Sequence, residues 1–110
     1  DWLFVDDHCD AIELIFKKGL IGETHNIGWD CEISNIDLAR LIIKIFDDIK
    51  SNPAGFSENL IQFVNDRAGH DFRYSIDHNK ITKELGWRPK TNFYDGVNET
   101  IKWYLKNLWW

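Results

Sequence analysis

Residues 66–70 read Asp66-Arg67-Ala68-Gly69-His70, just after the apolar run Leu60-Ile61-Gln62-Phe63-Val64. An acid, a forked cation, a hinge and an imidazole share one short stretch. Arg67 is a permanent cation whose five donors suit phosphate oxygens. Gly69 allows a close turn with positive φ. His70 can donate to a phosphate or hydroxyl and is partly charged near neutral pH. Asp66 can orient Arg67 or accept from a ligand hydroxyl. Two readings follow from the chemistry. One is a site built to hold an anion. The other is a plain surface turn with an Asp66–Arg67 ion pair, worth about 0–1 kcal/mol.

Asn35 offers a second polar group at the start of the strongest helical pattern. Helix N-termini attract anions through free N–H groups and the dipole. Asn35 therefore reads either as a phosphate or base contact or as an aid to the neighbouring Ser34 cap. Asp6, Asp7 and His8 resemble an acid–base group, but helix capping accounts for the two carboxylates. Gly28 follows an extended stretch alone, without the G-x-G-x-x-G that a dinucleotide loop requires. His25 is expected on a strand face. Cys9 and Cys31 form no C-x-x-C pair and read as small core residues. No His, Cys or carboxylate cluster has zinc spacing, so no metal is expected.

The elements that must position these groups follow from periodicity. Residues 2–5, 24–27, 60–64 and 73–76 are apolar or β-branched enough for short strands. Ala11, Ile12, Ile15 and Phe16 predict a helix after Asp6-Asp7, closed by Gly19 and Gly22. Leu38, Leu41, Ile42, Ile45, Phe46 and Ile49 fall at helical spacing after Ser34 and Asp37, a capping-box pair. Ser51 to Gly55 form a polar loop. Ile81 and Leu85 mark a brief helix capped by Asp77 or His78 and stopped at Gly86. Asn92 and Asp95 open a last helix with stripe Val97, Ile101, Tyr104, Leu105 and Leu108. About four helices and a few short strands predict a small α/β domain of mixed α+β character.

Length and composition bound the rest. One domain spans 1–110, and a chain of this size buries roughly 60–70% of its unfolded surface. Apolar residues make up 44% and charged residues 28%, with net charge −5, which argues against a nucleic-acid surface. No apolar run is long enough for a membrane span. Unpaired thiols point to a reduced, cytoplasmic setting. Four of the six Trp lie in the last quarter and read as packing residues. The opening Asp1-Trp2-Leu3-Phe4-Val5 begins inside an expected strand without Met, as in a piece of something longer.

Five stretches, in order, carry a resemblance. They are D-W-L-F-V-D-D-H-C-D-A-I at 1–12, G-E-T-H-N-I-G at 22–28, D-R-A-G-H-D at 66–71, K-E-L-G-W-R-P at 83–89 and T-I-K-W-Y-L at 100–105. Together the chain resembles the C-terminal, substrate-binding part of the dTDP-glucose 4,6-dehydratases, which are Rossmann-type extended short-chain dehydrogenase/reductases. The first and fourth stretches recur among sugar-nucleotide-modifying relatives, whereas D-R-x-G-H-D and W-Y-L narrow the match.

The resemblance implies that Asp66, Arg67, Ala68, Gly69 and His70 contact the diphosphate of a dTDP-sugar, and that Asn35 contacts the nucleotide. It implies NAD-dependent oxidation at C4, loss of water and return of hydride to C6 in a complete, homodimeric enzyme. The NAD loop, the Tyr-x-x-x-Lys pair and the acid–base groups would belong to an absent N-terminal Rossmann domain. This chain alone is then expected to hold no catalytic residue, bind no NAD and be inactive. Ala68 stands where Pro is usual and should loosen the turn. Trp29 replaces a common second Gly and is expected to crowd its loop. A related epimerase or decarboxylase acting on a UDP- or GDP-sugar shares the flanking motifs. A non-catalytic interaction module with a Trp-rich end is the third possibility.

Overall fold

A computed structural model describes residues 1–110. It contains four α-helices: α1 (Val5–Lys18), α2 (Asn35–Lys50), α3 (Asn79–Leu85) and α4 (Phe93–Lys106). A 3₁₀ helix, Phe56–Leu60, follows α2. The chain divides into two compact units, residues 1–32 with 73–93, and residues 33–72 with 94–110.

The four helices agree with the periodicity, but the expected strands do not form. Residues 1–4, 24–27 and 73–76 form neither helix nor ladder. Asp1 ties several loop segments together. Its Oδ1 accepts the N–H groups of Trp29 at 3.0 Å and Cys31 at 3.4 Å, and its Oδ2 accepts that of Ile76 at 3.2 Å. Of these three donors only Ile76 lies in a stretch expected as a strand, and no two of the stretches run side by side as a ladder. Main-chain bonds here are isolated: the Asp1 amine donates to the Tyr74 carbonyl at 3.3 Å, and the Trp2 N–H to the Cys31 carbonyl at 3.0 Å. Residues 60–64 form no strand: Leu60 closes the 3₁₀ helix, and the Ile61 N–H donates to the Glu58 carbonyl at 3.0 Å.

In the first unit α1 packs on α3. Ala11 and Ile81 are fully buried and Trp87 nearly so, with Leu3, Leu14, Ile15, Ile27 and Leu85 around them. The buried stripe of α1 is therefore centred on Ala11, whose small side chain admits α3. Ile12 and Phe16, expected on that stripe, are exposed. Asp6 and Asp7 do not cap α1, because the helix starts at Val5 with Phe4 at the cap position. Asp7 is buried and accepts the N–H groups of Lys90 at 2.9 Å and Thr91 at 3.0 Å. Burial alone would push its carboxyl upward; the bonds from Lys90 and Thr91 outweigh that and hold it below the usual carboxylate range.

Asp77, not His78, caps α3 by accepting the Asn79 N–H at 2.9 Å. Gly86 ends it with φ +70, in the left-handed conformation that glycine adopts without a Cβ penalty. Gly28 is constrained differently: a Cβ there would meet Asp1 Oδ2 at 2.7 Å and Ile76 Cβ at 2.8 Å. Trp29 stacks on His78 at 4.9 Å, with the Arg88 guanidinium 5.9 Å from its ring. Asp30, the next residue, takes φ +50. His25 lies on no strand. Its side chain is only 1% exposed, with Nε2 3.0 Å from Glu84 Oε2 and Nδ1 unpartnered. Neither cysteine is a core residue: Cys9 is exposed and Cys31 half-buried.

In the second unit Ser34 caps α2, accepting the Asp37 N–H at 3.2 Å and donating its hydroxyl to the Asp37 carboxylate. The capping pair read from the sequence is thus present. Near the other end of α2 the buried Asp47 accepts from the Ser57 N–H at 3.1 Å, the Ser57 hydroxyl at 2.6 Å and the Asn52 amide at 3.1 Å. This clip fastens the 3₁₀ helix to α2. Ile42, Phe46, Ile101, Tyr104, Leu105 and Trp110 help line an open apolar groove of about 410 Å³. The C-terminal Trp residues are not core packing: Trp103, Trp109 and Trp110 are exposed and stack edge-on among themselves, while Trp87 alone of the last four is buried.

Candidate functional site

The turn Arg67-Ala68-Gly69-His70 is closed by the His70 N–H donating to the Arg67 carbonyl at 3.3 Å. Gly69, third in this turn, has φ +73, the position where a type II turn demands glycine. Nothing lies within 4 Å of where its Cβ would stand, so glycine is needed here for its backbone and not for space. Ala68 occupies the second position, where proline is favoured.

Asp66 does not pair with the Arg67 side chain. Its Oδ1 accepts the Arg67 backbone N–H at 2.8 Å and lies 2.8 Å from His70 Nδ1. The bond from His70, then that from the Arg67 N–H, holds the Asp66 carboxyl below its ordinary range. The expected surface ion pair is thereby replaced. The Arg67 guanidinium makes no hydrogen bond or ion pair within the chain. Its donors are free for an outside acceptor.

Asn35 is the first residue of α2, exposed beside the Ser34 cap. Its side chain is not used in capping, since Ser34 already serves Asp37. The six candidate residues therefore all fall in the second unit. Internal bonds join Asp66, Arg67 and His70, and none joins Asn35 to the turn. The turn is open to solvent, with residues 62–75 all at the surface. Two concavities lie elsewhere: the apolar groove, and one of about 410 Å³ lined by His8, His25, Asn26, Ile27, Ser75, Ile76 and Asp77.

The link that sequence reasoning missed is Asp66 to His70. Their four-residue separation was the available signal, because a tight turn brings such positions together. No group of three or more metal-ligating side chains occurs.

The chain is similar to dTDP-glucose 4,6-dehydratases over its whole length. It is 46% identical to the Haemophilus influenzae enzyme over 97% of this chain and 32% of the relative. It is 47% identical to the Escherichia coli enzyme over 100% of this chain and 32% of the relative. The chain thus spans about a third of the length of the curated relatives it matches. Among solved structures, a dTDP-glucose 4,6-dehydratase from Bacillus anthracis in complex with NAD superposes with TM-score 0.83 and 39% identity, over 100% of this chain and 32% of that one. One from Streptomyces venezuelae gives TM-score 0.77 and 39% identity, over 96% and 30%. The resemblance carried by the five stretches is upheld. The sequence pattern of the GDP-mannose 4,6 dehydratase family matches residues 1–100, and the chain belongs to that family.

Proposed function

We propose that this chain is the dTDP-sugar-binding portion of a dTDP-glucose 4,6-dehydratase. The complete enzyme would convert dTDP-glucose to its 4-keto-6-deoxy product by NAD-dependent oxidation, dehydration and reduction. Arg67 and His70 would hold the diphosphate, Gly69 and Ala68 would shape the turn, and Asn35 would meet the nucleotide. The observation that carries the reading is the Arg67 guanidinium, unpaired beside a histidine fastened by Asp66. A fixed imidazole and an unspent fork are what a diphosphate requires.

NAD does not fit this chain's residues. Gly28, the glycine nearest a phosphate-loop position, is packed against Asp1 and Ile76 and leaves no cradle. NAD therefore belongs, in this reading, to another domain of a homodimeric cytoplasmic enzyme. No residue here is assigned a catalytic role, and no helix is long and apolar enough to cross a membrane.

Calorimetric titration with dTDP-glucose tests the reading. Arg67→Ala is expected to weaken binding on the order of tenfold to a hundredfold, as loss of charge-assisted hydrogen bonds does. An unchanged dissociation constant would remove the assignment. The family name favours a GDP-sugar as the second reading. Tighter binding of GDP-mannose than of dTDP-glucose would select it.

A further inference from the structure

Asp66 Oδ1 and His70 Nδ1 are 2.8 Å apart. A carboxylate held below its ordinary range stays ionised at neutral pH, and an ionised carboxylate only accepts. The proton in this bond therefore belongs to the ring. Nδ1 carries it whether the imidazole is neutral or cationic. In the neutral ring Nε2 is then a bare acceptor; in the cation it becomes an N–H donor. Arg67 keeps its donors at every accessible pH. The turn so combines one fork that does not titrate with one ring nitrogen whose polarity inverts. The other charges on this exposed segment are Asp71 and Arg73, the latter paired with Glu32.

We propose that Asp66 is a positioning residue: it fixes His70 in the Nδ1–H tautomer, so the turn holds a diphosphate through His70 only when the imidazole is protonated, and affinity for a nucleotide sugar rises as pH falls. This rests on reading the turn as the diphosphate-binding segment. A bare Nε2 facing a phosphate oxygen sets lone pair against lone pair. Without Asp66 the neutral ring is free to carry its proton on Nε2 and donate at any pH. Asp66 thus turns a pH-tolerant contact into a pH-gated one.

The test uses dTDP-glucose, whose diphosphate is esterified at both ends. It lacks the terminal phosphate that titrates near pH ~6. Dissociation constants are measured at about pH 5.5 and about pH 8.5. The wild type should bind about tenfold more tightly at the lower pH, the worth of one charge-assisted hydrogen bond. His70→Gln should abolish the ratio. Asp66→Asn should shrink it by improving binding at the higher pH, because its amide can donate to Nδ1. Arg67→Ala should weaken binding at both values and leave the ratio. A wild type with equal constants, while Arg67→Ala still weakens binding, overturns the inference and spares the site. No binding at all, or an Arg67→Ala without effect, removes both. Nitrogen NMR of the His70 ring at the higher pH gives a ligand-independent reading: a proton found on Nε2 overturns the proposal.

Discussion

Ala68 sits at the second position of a turn whose third residue, Gly69, already has φ +73. Proline fixes φ at about −65°, which this second position favours, and it restricts the unfolded chain. Ala68→Pro should therefore stabilise the chain by about 0.4–1 kcal/mol, read as a higher urea midpoint. A lower midpoint would show that Arg67 cannot adopt the extended backbone a following proline prefers. The residue types of the site were legible in the sequence; their partnerships were not. Arg67 beside Asp66 suggests an ion pair, but adjacent side chains diverge while the backbone between them turns. The carboxylate reaches His70 four residues on and the Arg67 amide, and the guanidinium goes unpaired.

At the level of elements, α1 and the segment after Trp87 depend on one side chain. Asp7 is 3% exposed and satisfies two N–H groups, of Lys90 and Thr91. Asp7→Ala would strand both donors and should cost about 2–3 kcal/mol, the range for hydrogen bonds to a charged group. Thermal unfolding measures it; a change within about 0.5 kcal/mol would place Asp7 among ordinary surface residues. The four helices were readable because apolar spacing and the Ser34–Asp37 cap are local signals. The strands were misread because Leu3, Ile27 and Ile76 look β-like, yet pairing is a non-local property. Here the stretches meet through single bonds, such as the Ile76 N–H to the Asp1 carboxylate at 3.2 Å, and no ladder forms. The role of Asp7 was hidden for the same reason, since its partners lie 83 and 84 residues away.

Over the whole molecule, charge pairing sets a stability window. The Asp7, Glu23, Glu32, Asp47, Asp66 and Asp77 carboxyls are held below their ordinary range, chiefly by hydrogen bonds that favour the ionised form. Their contribution is complete above the unfolded carboxylate values and is lost as pH falls through the lowered ones. Lys80 and Lys90 are raised, by bonds to Glu23 and Asp10. Their contribution is complete below the unfolded lysine value and is lost as pH climbs through the raised ones. The urea midpoint should thus be level from about pH 5 to about pH 10 and decline outside it. A decline beginning near neutrality would mean these pairs do not govern stability. Large apolar side chains at the surface, among them Phe16, Ile21, Phe63, Trp109 and Trp110, should drive self-association. Light scattering should show mass rising with concentration, and a strict monomer would contradict this. The wiring also has a kinetic side. The Asp47 clip to Ser57 spans 10 residues, whereas Asp7 must wait for Thr91. Short loops close first, so the Ser57 clip should form before the Asp7 bonds. Pulse labelling should find the Ser57 amide protected before those of Lys90 and Thr91.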